Sequence, residues 1–158
     1  MRISLDNRTE ATVRSFFERA QQPFIKVTLP LKAQSVEEAI SDYLETLLPS
    51  ATSFGRIVRV EGRYVGDIWC YCMDKAGVPN AMLSVCLLDR TYWGRGIASE
   101  AVRLFLREVR DAFGLETMGA FTFCENLAAQ RVLEKNGFLL FEEFVEDGRA
   151  SRYYQLSI

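Results

Sequence analysis

The sequence of 158 residues predicts a single α/β (α+β) domain over residues 1–158, with about four helices flanking a mixed, mostly antiparallel sheet of six to seven strands. Two turns, Gly62-Arg63 and Asp147-Gly148, each separate two β-rich runs, which indicates antiparallel hairpins. The run from Ala81 to Leu88 is almost wholly apolar, as expected of a central strand covered on both faces. A long amphipathic helix follows it, so helices and strands interleave.

The first third of the chain is predicted to hold one short strand and two helices. A polar residue is expected to cap each helix, Asp6 or Asn7 for the first and Ser35 for the second. Glu38 stands three residues after Ser35, close to a capping box, and Pro49 follows as a stop signal. The predicted elements are a strand at 2–5, helices ending near residues 20 and 48, and an irregular or extended segment over 21–30.

From residue 54 onward the prediction is dominated by strands. Gly114 is expected to stop the long helix, and Gly137 a shorter one. The predicted strands are 54–61, 64–73, 81–88, 118–124, 138–145 and 149–156, and the predicted helices are 97–113 and 127–136. Strands at the middle and end form meanders, so the sheet is expected to be mixed rather than purely parallel.

The composition excludes several classes of function. The net charge of −2 offers no general electrostatic attraction to nucleic acid or anionic membrane. No apolar run approaches a membrane span or the core of a signal peptide, so a cytoplasmic protein is expected. The chain has no histidine, which excludes Ser-His-Asp and Cys-His catalysis together with every histidine-containing metal site.

The four cysteines, Cys70, Cys72, Cys86 and Cys124, lie in apolar, strand-like contexts. We expect them to be buried reduced thiols, since a free cysteine packs as a small hydrophobic residue. Cys70 and Cys72 are two apart and so are expected to share one strand face. A metal site is not expected, because one C-x-C pair lacks further ligands.

One segment combines a strand, a glycine-containing turn and the start of a helix. Gly94 and Gly96 flank Arg95, and the first N–H groups of the following helix have no partner within it. These groups and the helix dipole favour an anion there. Ser99 replaces the third glycine of the dinucleotide-binding motif, and the P-loop motif is absent. A tight connection without a ligand is the ordinary alternative.

A second segment, Cys124 to Phe138, contains the end of a strand, a short amphipathic helix, a glycine stop and a returning strand. Asn126 stands where it can cap that helix, and capping alone would explain its presence. Taken together with the glycine-containing turn, however, the segment completes a pattern of two motifs.

The two segments resemble those of the GNAT acetyltransferase superfamily over about residues 84–138. Its acyl-CoA signature, [Q/R]-x-x-G-x-[G/A], matches Thr91 to Gly96 except at the first position. Its later motif, N-x-x-[A/S]-x-x-V/L-x-E-K-x-G-F, is matched from Asn126 to Phe138. The sequence around the glycines is similar to that in the branch of ribosomal-protein N-terminal acetyltransferases. The resemblance implies a GNAT-like fold and acetyl transfer from acetyl-CoA directly to a primary amine, either a peptide N-terminus or a small molecule.

The resemblance also implies roles for particular residues. The end of the central strand is expected to pair its backbone with the pantetheine arm of coenzyme A, strand 118–124 to splay away from it, and Asn126 to hydrogen-bond the same arm. The expected cofactor-binding residues are Cys86, Leu87, Leu88, Gly94, Arg95, Gly96, Ile97, Ala98, Ser99 and Asn126. The expected partners are acetyl-CoA and an amine, without a metal, and the protein is expected to be a monomer or homodimer.

The catalytic residues are left open, because Leu133 stands where many family members carry a tyrosine assigned as the general acid. That change leaves a second hypothesis, a non-catalytic acyl-CoA-binding sensor or partner module. Candidates for the acid are Ser84, Cys86, Tyr153 and Tyr154, and candidates for a base acting through water are Asp67, Glu125 and Glu143. Acidic residues that could attract a cationic acceptor, or only form a solvated surface, are Glu37, Glu38, Asp42, Glu45, Glu142, Glu143, Glu146 and Asp147.

Overall fold

The computed structural model describes every residue from Met1 to Ile158 and contains seven strands and five α-helices. The strands are β1 (Ile3–Asn7), β2 (Phe54–Val60), β3 (Arg63–Asp74), β4 (Asn80–Leu87), β5 (Thr117–Phe123), β6 (Leu139–Glu146) and β7 (Arg149–Ser157). The helices are α1 (Glu10–Arg19), α2 (Pro23–Lys26), α3 (Val36–Glu45), α4 (Ile97–Phe113) and α5 (Leu127–Lys135). The predicted fold class is confirmed.

All seven strands form one sheet in the order β1-β2-β3-β4-β5-β7-β6. Every neighbouring pair is antiparallel except β4 and β5, which run parallel because α4 carries the chain back between them. The predicted hairpins are present as β2–β3 and β6–β7. The apolar strand β4 is fourth of the seven, and its central position is confirmed.

The two faces of the sheet are covered by different helices. Ile68 lies in the main core with Phe105 of α4, whereas the next residue, Trp69, faces the other way and packs edge-on against Phe16 of α1. Helix α5 contacts α4 and so lies on the same face as α4. A second, smaller core on the α1 face contains Ile25 of α2 and Leu88, the residue after β4.

The N-terminal predictions need two corrections. Neither Asp6 nor Asn7 caps α1, because both still pair with β2; Thr9 is the cap, and it exchanges hydrogen bonds with Thr12. The segment predicted to be irregular contains α2, which begins at Pro23 in the first helical position, where its missing N–H costs nothing.

Helix α3 begins at the predicted cap Ser35, but its last helical residue is Glu45, and the three residues that follow form turns. The cysteines are free thiols as expected, although only Cys70 is fully buried. Cys72 is exposed in an irregular part of β3 with φ of 52°, so the prediction that it shares a face with Cys70 is wrong. None of the helices has the length and apolarity that crossing a membrane requires.

Candidate active site

Strands β4 and β5 separate along most of their length. They pair only at Asn80–Thr117, Ala81–Met118 and Met82–Gly119. Beyond these pairs, β4 stays paired with β3 as far as Leu87, and β5 stays paired with β7 as far as Phe123. We call the resulting gap the strand cleft; Met82 and Gly119 mark its closed end. The predicted splaying of residues 118–124 from the central strand is present.

The open end of the strand cleft carries both motifs, because the carboxyl ends of two parallel strands lie at the same edge of a sheet. The residues Trp93 to Gly96, here called the glycine turn, lead from β4 into α4. Gly94 and Gly96 have φ of 71° and 79°, a left-handed conformation in which other residues are strained. A Cβ at either position would meet no other atom within 4 Å, so the turn faces open space.

The glycine turn presents consecutive backbone N–H groups that have no acceptor in the protein. The first backbone bond of α4 runs from the N–H of Glu100 to the carbonyl of Gly96. The unpaired donors before it are those of Gly94, Arg95, Gly96, Ile97, Ala98 and Ser99. Together with the dipole of the 17-residue α4, these groups place partial positive charge at the open end of the strand cleft.

The backbone at the end of β4 is held from both sides. The N–H of Leu88 donates to the carbonyl of Val65 at 2.9 Å, so the carbonyl of Leu87, in the same trans peptide, points away from β3. The indole N–H of Trp93 donates to that carbonyl. A Cβ on Gly66 would lie 2.1 Å from the carbonyl oxygen of Cys86, so glycine is required for this approach of β3 to β4.

Helix α2, which was not predicted from the sequence, supports the glycine turn. The ring of Phe24 packs edge-on against Trp93 at 5.7 Å, and the guanidinium of Arg90 lies 4.4 Å from the centre of the Phe24 ring. Pro23 was the signal that could have located this helix. Thr91, the exception in the first motif, uses its hydroxyl and its N–H to bond the carboxylate of Asp89.

The second motif lies beside the first. The Asn126 side chain accepts from the N–H of Ala129 through Oδ1, which confirms the capping role and leaves Nδ2 without a partner. At the other end of α5, Asn136 Nδ2 donates to both the carbonyl and the hydroxyl of Ser99 at 3.1 and 3.2 Å. Asn136 therefore joins the end of α5 to the start of α4.

Several of the predicted cofactor-binding residues can offer only their backbone. The side chains of Leu87 and Ile97 lie in the main core, and that of Leu88 lies in the second core. The Cys86 side chain is half-buried on the α1 face, where burial raises the pKa of its thiol to about 12. Cys86 is therefore a neutral thiol at neutral pH.

Asp67, one of the candidate bases, is only 2% exposed. Its carboxylate accepts from Arg8 Nε at 2.9 Å and from the hydroxyl of Tyr64. Burial raises the pKa of the Asp67 carboxyl, while Arg8 and Tyr64 oppose that rise. Protein donors bond both oxygens of the Asp67 carboxylate, which indicates a structural role. Asp67 is therefore not a free base at the closed end of the cleft.

The other candidates are dispersed. Glu125 forms an ion pair with Arg149, and Glu143 forms one with Arg152. Tyr154, two residues beyond Arg152 on β7, is buried in the main core. Leu133 is likewise buried in that core. The structure thus brings no free carboxylate of these three to the closed end of the strand cleft.

The comparison with known families identifies this chain, whose seven-stranded mixed sheet splits beside the glycine turn, as an acyltransferase. Residues 2–139 match the model described as the acetyltransferase (GNAT) domain. The chain belongs to the acetyltransferase (GNAT) family.

Known relatives are consistent with this assignment. The probable N-acetyltransferase YjcK of Bacillus subtilis (strain 168) is 29% identical over 126 residues, which cover 79% of this chain and 68% of YjcK. The spermidine N-acetyltransferase from Vibrio cholerae, solved with CoA and spermine, superposes with a TM-score of 0.85 at 13% identity, covering 98% of this chain and 95% of that one. RimL, a ribosomal L7/L12 alpha-N-protein acetyltransferase solved with coenzyme A, superposes with a TM-score of 0.83 at 15% identity, covering 99% of this chain and 94% of that one. The two solved structures show the shared fold.

Proposed function

We propose that the protein transfers an acetyl group from acetyl-CoA directly to a primary amine, on a peptide N-terminus or a small molecule. The observation that carries this proposal is the run of unpaired N–H groups from Gly94 to Ser99 at the open end of the strand cleft. An anion site and an unpaired strand edge are adjacent here, and coenzyme A has a pyrophosphate joined to an amide-containing arm.

The pyrophosphate is assigned to the glycine turn. Backbone N–H groups bind phosphate without a change in protonation, and the N-terminus of α4 adds partial positive charge. The exposed guanidinium of Arg95 lies in the same turn, held loosely by the carbonyl of Thr91 at 3.4 Å, so it can swing to a phosphate oxygen.

The pantetheine arm is assigned to the strand cleft. Its amides would replace the backbone partner that β4 loses after Met82, where β5 departs. The free Nδ2 of Asn126 stands at the end of β5 as an additional donor. This placement sets the thioester near the closed end of the cleft, where backbone N–H groups can polarise its carbonyl.

The acceptor is proposed to be an amine because two proteins of the same fold are a spermidine N-acetyltransferase and a ribosomal L7/L12 alpha-N-protein acetyltransferase. An ammonium must lose a proton before it attacks. Since Asp67, Glu125 and Glu143 are all paired with arginines, water is proposed to take that proton.

Isothermal titration with coenzyme A tests the binding site. We expect saturable binding by the natural protein and its loss in Gly96→Trp, since the indole would fill the space in front of the N–H groups. Gly77→Trp is the matched control, because Gly77 also has positive φ and open surroundings but lies in the β3–β4 turn. No binding at millimolar coenzyme A, or equal binding by the two variants, would contradict the assignment.

Turnover is tested separately with acetyl-CoA and a panel of primary amines, including peptides, polyamines and aminoglycosides. Release of free coenzyme A that depends on the amine supports acetyl transfer. Binding of coenzyme A without release on any acceptor would instead support the non-catalytic module.

A further inference from the structure

Tyr153 lies at the closed end of the strand cleft. A Cβ built on Gly119 would come within 2.6 Å of Tyr153 Oη and 2.8 Å of Met82 Sδ. The hydroxyl therefore lies against the last residue pair that joins β4 to β5. The same hydroxyl borders an open depression of about 340 Å³ lined by residues of β4, β5 and β7, among them Asn80, Thr117 and Gln155.

The tyrosine reaches this point from the face opposite α4 and α5. Its neighbour Tyr154 is 1% exposed in the main core beneath α5, and successive residues of a strand alternate between faces. Leu133 of α5 is in that same core. The position at which many family members carry a tyrosine is thus apolar here, and a phenol approaches the cleft from the other side of the sheet.

The position of the phenol is fixed by its neighbours. Its ring packs against Phe121 at 5.1 Å and Phe141 at 5.8 Å. Gln155 Nε2 donates to Tyr153 Oη at 3.0 Å, so the oxygen is used as an acceptor and its own proton remains available to another group. Gly119 leaves the space that the hydroxyl occupies.

The dimensions of the strand cleft fit this placement. Six residue steps separate Met82 at the closed end from Leu88 at the open end, which corresponds to roughly 20 Å of strand. An extended pantetheine arm has a comparable length. With the pyrophosphate at the glycine turn, the sulfur therefore falls close to Tyr153.

We propose that Tyr153 is the catalytic residue that protonates the departing sulfur, an inference that rests on the proposed acetyl transfer. The amine nitrogen bonds to the acetyl carbon, the carbon–sulfur bond breaks, and its electron pair goes to sulfur. Tyr153 gives its hydroxyl proton to that sulfur. The proton released by the amine passes through water and restores the phenol, so the products are the acetylated amine and coenzyme A.

Tyr153→Phe tests this role, because it removes the hydroxyl and keeps the ring against Phe121 and Phe141. With an acceptor from the amine panel, we expect kcat to fall about 100-fold while the KM for acetyl-CoA and the affinity for coenzyme A stay the same. Tyr154→Phe is the matched control: it removes the adjacent hydroxyl, which faces the core, and is expected to keep kcat within about twofold. Equal kcat in Tyr153→Phe and the natural protein, or equal losses in the two variants, would overturn the proposal.

A change of leaving atom separates proton donation from mere positioning. Acetyl-seleno-coenzyme A carries selenium in place of sulfur, and a selenol is more acidic, so its departure needs less protonation. We expect the loss caused by Tyr153→Phe to shrink at least about tenfold with this donor; an unchanged loss would overturn proton donation. If the natural protein binds coenzyme A but turns over no amine, the proposed function fails and the role of Tyr153 fails with it. If the natural protein acetylates an amine and Tyr153→Phe does so with the same kcat, acetyl transfer stands and only the role of Tyr153 is refuted.

Discussion

The indole N–H of Trp93 donates to the carbonyl oxygen of Leu87 across 3.1 Å. This bond links the glycine turn to the edge of β4 that β5 has left, so the indole stands at the open end of the strand cleft. The Leu87 carbonyl is one of the backbone groups assigned to the pantetheine arm. The proposed pairing of the pantetheine arm with this edge would therefore displace or repack the indole.

Trp93 should report coenzyme A binding through its fluorescence. The chain has two tryptophans, and the other, Trp69 of β3, packs against Phe16 of α1. We expect titration with coenzyme A to change the emission of the natural protein and of Trp69→Phe, and to leave that of Trp93→Phe unchanged. A full response in Trp93→Phe would show that the ligand binds elsewhere.

The ion pair between Arg8 and Asp67 is expected to stabilise the fold strongly. Asp67 is almost fully buried, so Arg8→Ala leaves a buried carboxylate without its charged partner. We expect a loss of about 3–5 kcal/mol in the free energy of unfolding, measured with urea. Arg59→Ala is the control, since its ion pair with Asp6 is exposed to solvent and should contribute little to stability.

The deficit of Arg8→Ala should grow as the pH rises. Burial already raises the pKa of Asp67, and Arg8 is the largest influence that lowers it, so the variant raises the folded-state pKa further. A folded-state pKa above the unfolded value of about 3.9 favours folding of the protonated form. Stability is then present at low pH and lost as the pH rises through the folded-state pKa. Urea denaturation at acid and neutral pH checks this; an equal deficit at both would contradict it.

Asn136 is expected to couple the two motifs. Its Nδ2 donates to Ser99 and to the carbonyl of Val132, so Asn136→Ala removes the contact between α5 and the first turn of α4. We expect a loss of about 1–2 kcal/mol in stability, seen by thermal denaturation, and weaker coenzyme A binding. Asn136→Asp should be worse, because it brings a carboxylate to carbonyl oxygens. An aspartate variant as stable as the natural protein would refute this role.

Gly66 is expected to tolerate no side chain. An added Cβ would lie 2.1 Å from the Cys86 carbonyl oxygen, which is backbone and cannot turn aside. We expect Gly66→Ala to cost about 2–3 kcal/mol in stability and to weaken coenzyme A binding by moving β4. Gly62→Ala is the comparison: its φ of 80° strains the backbone but its surroundings are open. Equal costs in the two variants would show that β3 and β4 adjust easily.

Local patterns were sufficient for the elements that position the cofactor. The apolar run of β4, the glycines at 94 and 96, and the apolar spacing of α4 all act over neighbouring residues, so the strand, turn and helix were predicted close to their observed bounds. The cap of α1 was not predicted correctly, because the pairing of β1 with β2 extends through Asn7 and leaves Thr9 to cap the helix. Tertiary pairing there outweighs the preference of Asp6 and Asn7 for helix caps.

The chemistry at the closed end of the cleft depends on contacts that are distant in sequence. Alternation along a strand puts Tyr153 and Tyr154 on opposite faces, but which face α5 covers follows only from the folded chain. The sequence likewise leaves open whether Asp67 is a base or the buried partner of an arginine, because Arg8, which pairs with it, lies 59 residues away in the chain. Helix α2 is only four residues long, too short for a periodic pattern to reveal it.

The three residue pairs that join β4 to β5 are a seam between two halves of the sheet. Residues 114–116 carry the chain across it, so a cut there would leave β1–β4 and β5–β7 each with its own strand pairings intact. The halves are then held together by those three pairs, by the contact between α4 and α5, and by the core that the two halves share. We expect co-expressed fragments divided at residue 115 to reassemble into a folded heterodimer, and the halves of the native sheet to show distinct hydrogen-exchange stabilities.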